Sequence, residues 1–123
     1  MAKAAIGLSG AQALRSVAQA YRDYIKNNLE VYLLGGVRSA AFQNPPDAEL
    51  DAAQEQVLQT GRVILAAFAL NEADTLHALR GLRSLVHGFA TLEAAGGFGL
   101  PVDCDESFQR LVEMFIRDLD RKE

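Results

Sequence analysis

The chain has 123 residues, 50% of them hydrophobic and 23% charged, with no tryptophan, one cysteine and a net charge of −4. That length suits one domain with its own core and is short for two. The acidic balance without a cluster of Lys and Arg argues against phosphate binding, apolar runs of only a few residues exclude a membrane span, and a lone cysteine excludes an intrachain disulfide.

Many Ala and Leu residues favour an all-α protein, and the absence of a secretory signal after Met1-Ala2-Lys3 predicts a cytoplasmic location. Ser9-Gly10 opens the first clear helix, in which Leu14, Val17, Ala18, Tyr21 and Ile25 recur at steps of three and four while Arg15, Arg22 and Lys26 face away. It should end near Asn27-Asn28. LEVYLLGGVRSAAF then reads as a short apolar helix loosened at Gly35-Gly36, with a stop at Asn44-Pro45-Pro46. From Asp47 to about Ala69 a third helix carries Leu50, Val57 and Ile64 at seven-residue steps, with Ala53, Gly61 and Phe68 on the same side. Asn71 caps a fourth helix, with Asp74 as a capping-box-like partner, and Gly96-Gly97 end it after Ala95. Asp103 and Glu106 repeat the device for a fifth, striped by Phe108, Leu111, Val112, Phe115 and Leu119.

The fourth helix has two apolar sides. Leu82, Leu85, Val86, Phe89 and Leu92 form a broad arc toward the core, while His77, Gly81, Ser84, Gly88, Thr91 and Ala95 form a second stripe of mostly small residues. Glycine inside a helix costs about 0.8–1 kcal/mol relative to alanine, so Gly88 needs a use, and close approach of another helix supplies one. That helix is either the fifth of the same chain or a helix of a second chain. An antiparallel pair of helices four and five meeting its symmetry mate would make a four-helix bundle. Gly81, Ser84, Gly88, Thr91, Phe108 and Phe115 are the interface residues expected.

Chemistry-bearing patterns are sparse. His77 and His87 stand about 15 Å apart along one helix and cannot share a metal, so no metal site and no cofactor are expected. No Ser-His-Asp order or paired-carboxylate spacing occurs, and Gly96-Gly97-Phe98-Gly99 follows a helix instead of opening one, which makes it a terminator and not a phosphate cradle. No catalytic residue is expected. Cys104 reads as a small hydrophobe at a helix start. Glu93 projects into the apolar arc near a helix C-terminus, where an anion is disfavoured, so it requires a partner, an arginine or the amides of the following turn. Aromatic residues gather in the first three helices, where tyrosine hydroxyls can orient a ligand among apolar walls. Tyr21, Tyr32, Phe68, His87 and Phe89 are the ligand-binding residues expected, with plain core packing as the alternative.

LHALRGLRSLVHGFATLEAAGGFGLPVDCDESFQRLVEMFIRDL closely resembles the last two helices of the TetR-type transcriptional regulators, in the branch with a His-Gly pair followed by Leu-Glu and a glycine-rich turn. SGAQALRSVAQAYRDYIKNNLEVYLL resembles the helix that opens that family's sensing half. The likeness covers Ser9 to Leu119, and one departure is Arg83, where many members of that branch carry a tryptophan. It implies a five-helix C-terminal domain over residues 9–121, with residues 1–8 as the tail of the connecting helix and no helix-turn-helix in this chain. The function it implies is effector sensing and homodimerisation, with a small apolar ligand and no nucleic acid bound by this chain alone. The alternative is a stand-alone helical homodimer acting as an interaction module without ligand; a small enzyme using His87 is a third reading.

Overall fold

The computed structural model describes residues 2–33 and 59–121. The segment with Gly35-Gly36, Phe42 and Asn44-Pro45-Pro46, and the first part of the expected third helix with Leu50, Ala53 and Val57, lie outside the described residues.

The fold is all-α. The first helix, α1 (Ala2–Asn27), is continuous through the point where Ser9-Gly10 were expected to open it. Both residues sit inside the helix because Gly10 meets the following part of the chain closely: a Cβ there would stand 2.7 Å from the Cβ of Ala67. After a break at Asn28 comes the single turn α2 (Leu29–Val31). Residues 59–65 form α3, which tightens into a 3-10 turn at Ala66–Phe68 and stops where Ala69 takes a left-handed backbone, φ 56°. Then come α4 (Glu72–Ala94) and α5 (Cys104–Leu119).

The α4 boundaries follow from side-chain and backbone bonds. Asn71 accepts from the Asp74 amide at 2.7 Å, satisfying one of the helix's open donors. At the other end Gly96 adopts φ 74°; its amide bonds to the Glu93 carbonyl and that of Gly97 to the Leu92 carbonyl. This is the paired-bond helix stop that a left-handed glycine allows. Asp103 caps α5 by accepting from the Asp105 amide at 3.2 Å, one residue earlier than the expected pairing with Glu106.

α1 lies along α4, and α5 packs against both. Ala11, Leu14, Ala18 and Ile25 of α1, Leu65 of α3, Ala78, Leu82, Val86 and Ala90 of α4, and Phe108, Val112 and Ile116 of α5 form the core. Two expectations need correction. Leu92 is 52% exposed: the chain turns away at Gly96, and of the glycine turn Gly97 lies close against the side chain. Arg22 does not face solvent: it is 1% exposed, because it stands four residues after Ala18 and three before Ile25, on the buried stripe itself. Among the described residues no helix is long and apolar enough to cross a membrane.

Candidate functional site

Two polar clusters tie α1 to α4. The first is built on Arg22. A guanidinium can be closed off from water only if its donors are paired. Glu93 takes two of them, from Nε at 2.9 Å and Nη2 at 2.7 Å, and Asp105 accepts from Nη1 at 2.8 Å. The Phe89 and Phe108 rings approach the cation at 5.3 and 4.9 Å from their centroids, adding attraction from the ring faces. One buried side chain thereby joins α1, the end of α4 and the first turn of α5. The hydrogen bonds from Arg22 hold the Glu93 carboxyl below its ordinary range, against the opposing effect of burial, and Lys26 at 3.4 Å adds to the same direction. Glu93 has the arginine partner its position called for.

The second cluster is Tyr21, Tyr32 and His87. Tyr32 follows α2 and is 3% exposed; its hydroxyl lies 2.6 Å from Nδ1 of His87 and 3.4 Å from the Tyr21 hydroxyl. The two tyrosine rings meet edge to face with centroids 6.3 Å apart. Burial, the largest effect, and the Tyr21 hydroxyl push the Tyr32 phenol well above its ordinary value, opposed by the charge of Arg83. Tyr32 is therefore a neutral donor and acceptor throughout the physiological range.

Of the five ligand-binding residues expected, the structure brings Tyr21, Tyr32 and His87 together. Phe89 belongs to the other cluster, against Phe98 and Phe108. Phe68 sits beside Gly10, about 16 Å along α1 from Tyr21. Of the interface residues expected, Gly81 meets Phe115 of its own chain: a Cβ there would be 3.3 Å from the phenylalanine ring. Phe108 is closed inside the protomer beneath Arg22. Ser84, Gly88 and Thr91 lie on the side of α4 away from this core, and around Gly88 no atom of the described residues lies within 4 Å of the place a Cβ would take. Arg22 and Asp105 are the residues sequence reasoning missed. The phase of Arg22 within the stripe of Ala11, Leu14, Ala18 and Ile25 was the available signal, overridden by its charge.

Hydroxyls on the outer side of α4 fold back on their own helix. Ser84 donates to the Arg80 carbonyl and Thr91 to the His87 carbonyl, both at 2.7 Å. Surface grooves run along α5; one, of about 360 Å³, lies between α1 and α5 and is floored by Phe108 and Val112 under the exposed Arg15–Glu113 pair. No group of three or more His, Cys, Asp or Glu suited to a metal ion occurs among the described residues.

The family described as tetracyclin repressor-like, C-terminal domain, matches residues 14–115, which takes in the second half of α1, both clusters and most of α5. The chain belongs to that family. It is also 32% identical over 121 residues to an uncharacterized HTH-type transcriptional regulator, YobS, of Bacillus subtilis (strain 168). That alignment covers 97% of this chain and 60% of the relative, so the chain spans about three-fifths of the length of the regulator it matches. This tetracyclin repressor-like domain is thus the C-terminal type of regulator domain, with its two polar clusters inside the matched span.

Proposed function

We propose that this chain is the effector-sensing and homodimerising part of a cytoplasmic, non-enzymatic TetR-type transcriptional regulator. A small, mostly apolar ligand bound beside Tyr21 and His87 shifts α1 relative to α4, and through Arg22 the start of α5. In an intact regulator this would change the spacing of two DNA-reading heads; the acidic balance of this chain disfavours DNA binding by it alone.

The observation that carries the dimer is the outer side of α4. Ser84 and Thr91 spend their hydroxyls on carbonyls of their own helix, so they can be desolvated without leaving an unpaired donor. Gly88 leaves room for a second backbone. Met114 of α5, 53% exposed, and the half-buried Phe115 add apolar area. A symmetric four-helix bundle of α4 and α5 with their mates follows from such a face. Sedimentation velocity tests it: the wild-type chain is expected as a dimer and Gly88→Leu as monomer or aggregate, while an unchanged dimer of normal stability removes this interface.

A second reading, a homodimer that senses nothing, is favoured by one feature: Tyr32 is closed off and its hydroxyl is already occupied from both sides. Thermal shift with hydrophobic probes separates the two. A rise in Tm supports sensing, and a flat response across probes leaves the bare dimerisation module.

A further inference from the structure

We infer that Tyr32 fixes His87 in the tautomer whose Nε2 carries the proton, so that the site takes an otherwise apolar molecule presenting a hydrogen-bond acceptor, such as a carbonyl oxygen. The inference rests on the reading of Tyr21 and His87 as one end of an effector site. The Tyr32 hydroxyl has one proton and two neighbours, Nδ1 of His87 at 2.6 Å and the Tyr21 hydroxyl at 3.4 Å. An imidazole nitrogen is a far stronger base than a phenol oxygen, and hydroxyl-donated bonds run shorter than those donated by N–H. The proton therefore goes to Nδ1, and Tyr21 completes the chain by donating to Tyr32. With Nδ1 accepting, a neutral ring must hold its own proton on Nε2. Burial keeps Tyr32 protonated and so keeps it a donor.

The consequence lies at the other ring nitrogen. Among the described residues the hydrogen bond made by the His87 ring is at Nδ1, and the residue is half-buried, which leaves the Nε2 proton as its remaining donor. A hydrocarbon laid over it would strand a donor, a cost that cancels much of the gain from apolar contact. An ammonium group would set donor against donor. A carbonyl, ester or ether oxygen pairs with it, and the rest of an otherwise apolar molecule asks for no further polar partner. A ligand of this class is distinguished by where its one acceptor sits, as the tautomer leaves a single direction for the bond.

Two measurements on the whole chain test this. Long-range ¹H–¹⁵N spectra at about pH 8, where an imidazole is ordinarily neutral, should show His87 with Nδ1 unprotonated, and Tyr32→Phe should return the ring toward a mixture of tautomers. Acetophenone and ethylbenzene, alike in shape and differing in the carbonyl, are then titrated. Acetophenone is expected to bind roughly tenfold more tightly, the size of one net hydrogen bond, to move the Nε2 resonance, and to lose that preference in His87→Phe. A protonated Nδ1, or a tautomer unchanged in Tyr32→Phe, overturns the role of Tyr32. Equal or tighter binding of ethylbenzene overturns the ligand class. If neither compound moves any resonance while Nδ1 stays unprotonated, the effector-site reading has failed and the inference falls with it, and the tautomer measurement tells that failure from the others.

Discussion

A charged side chain shut away from water is stable only while its partners remain, and Arg22 and Arg15 show how far position decides the worth of an ion pair. Arg22 is buried against Glu93 and two phenylalanine rings; Arg15 meets Glu113 in the open, with both side chains more than 40% exposed. Removing one partner of a buried pair costs about 3–5 kcal/mol, whereas exposed pairs are worth about 0–1. Glu93→Ala is therefore expected to destabilise the chain by about 3 kcal/mol in urea unfolding and Glu113→Ala by less than about 1. The pH dependence has a definite sign. Arg22 depresses the Glu93 carboxyl in the folded chain relative to its ordinary 4.5, so the stabilisation is fully present above about pH 4.5 and is lost as pH falls through the depressed value. Glu93→Gln should flatten that part of the acid limb. Tyr32 acts at the other end of the scale. Its folded value is raised above the ordinary 10.0, so its contribution is complete below about pH 10 and is lost as pH rises beyond it. Tyr32→Phe should remove that alkaline loss, measured as Tm against pH from 9 upward.

At the scale of elements, α4 depends on its two ends. Asn71 supplies the capping oxygen, and Asn71→Ala is expected to cost about 1 kcal/mol. Gly96 holds the left-handed stop at φ 74°. Any residue with a Cβ pays for that conformation, so Gly96→Ala is expected to cost about 1–2 kcal/mol. Circular dichroism melts of the two variants check both values, and the second change should also loosen the approach to α5, since the Gly97 amide closes the same turn on Leu92.

At the scale of the molecule, three helices meet at Arg22, which bonds from α1 to Glu93 of α4 and to Asp105 of α5. Asp105 is the outer arm of this junction, 71% exposed at its side chain. Asp105→Asn should leave global stability within about 1 kcal/mol while speeding hydrogen exchange in the first turn of α5. Equal exchange in both proteins would mean that the contact holds nothing in place. The net charge of −4 sets a further outcome: mobility shifts at low salt with random and operator duplexes should show no sequence-selective submicromolar binding by this chain, because its net charge repels phosphate.

Much of the helix phase and several helix ends were legible in the residues alone, because they depend on interactions a few positions apart; the start of α1 and the phases of Arg22 and Leu92 were not. Leu14, Ala18 and Ile25, the Asn71 cap and the Gly96-Gly97 stop all express local periodicity and backbone geometry. The need of Glu93 for a partner was legible too, since a carboxylate on an apolar arc is costly wherever the chain goes. Which partner it finds was not. Arg22 is separated from Glu93 by 71 positions and from Asp105 by 83, and only the crossing of α1 over α4 and α5 brings them within hydrogen-bond reach. The same holds for Tyr32 and His87, 55 positions apart, and for the parting of Phe68 and Phe89 from them. Type and spacing determine what each residue can do within its own helix. Packing between helices decides which capacities meet, because burial and hydrogen-bond geometry are properties of the assembled core and not of any one segment.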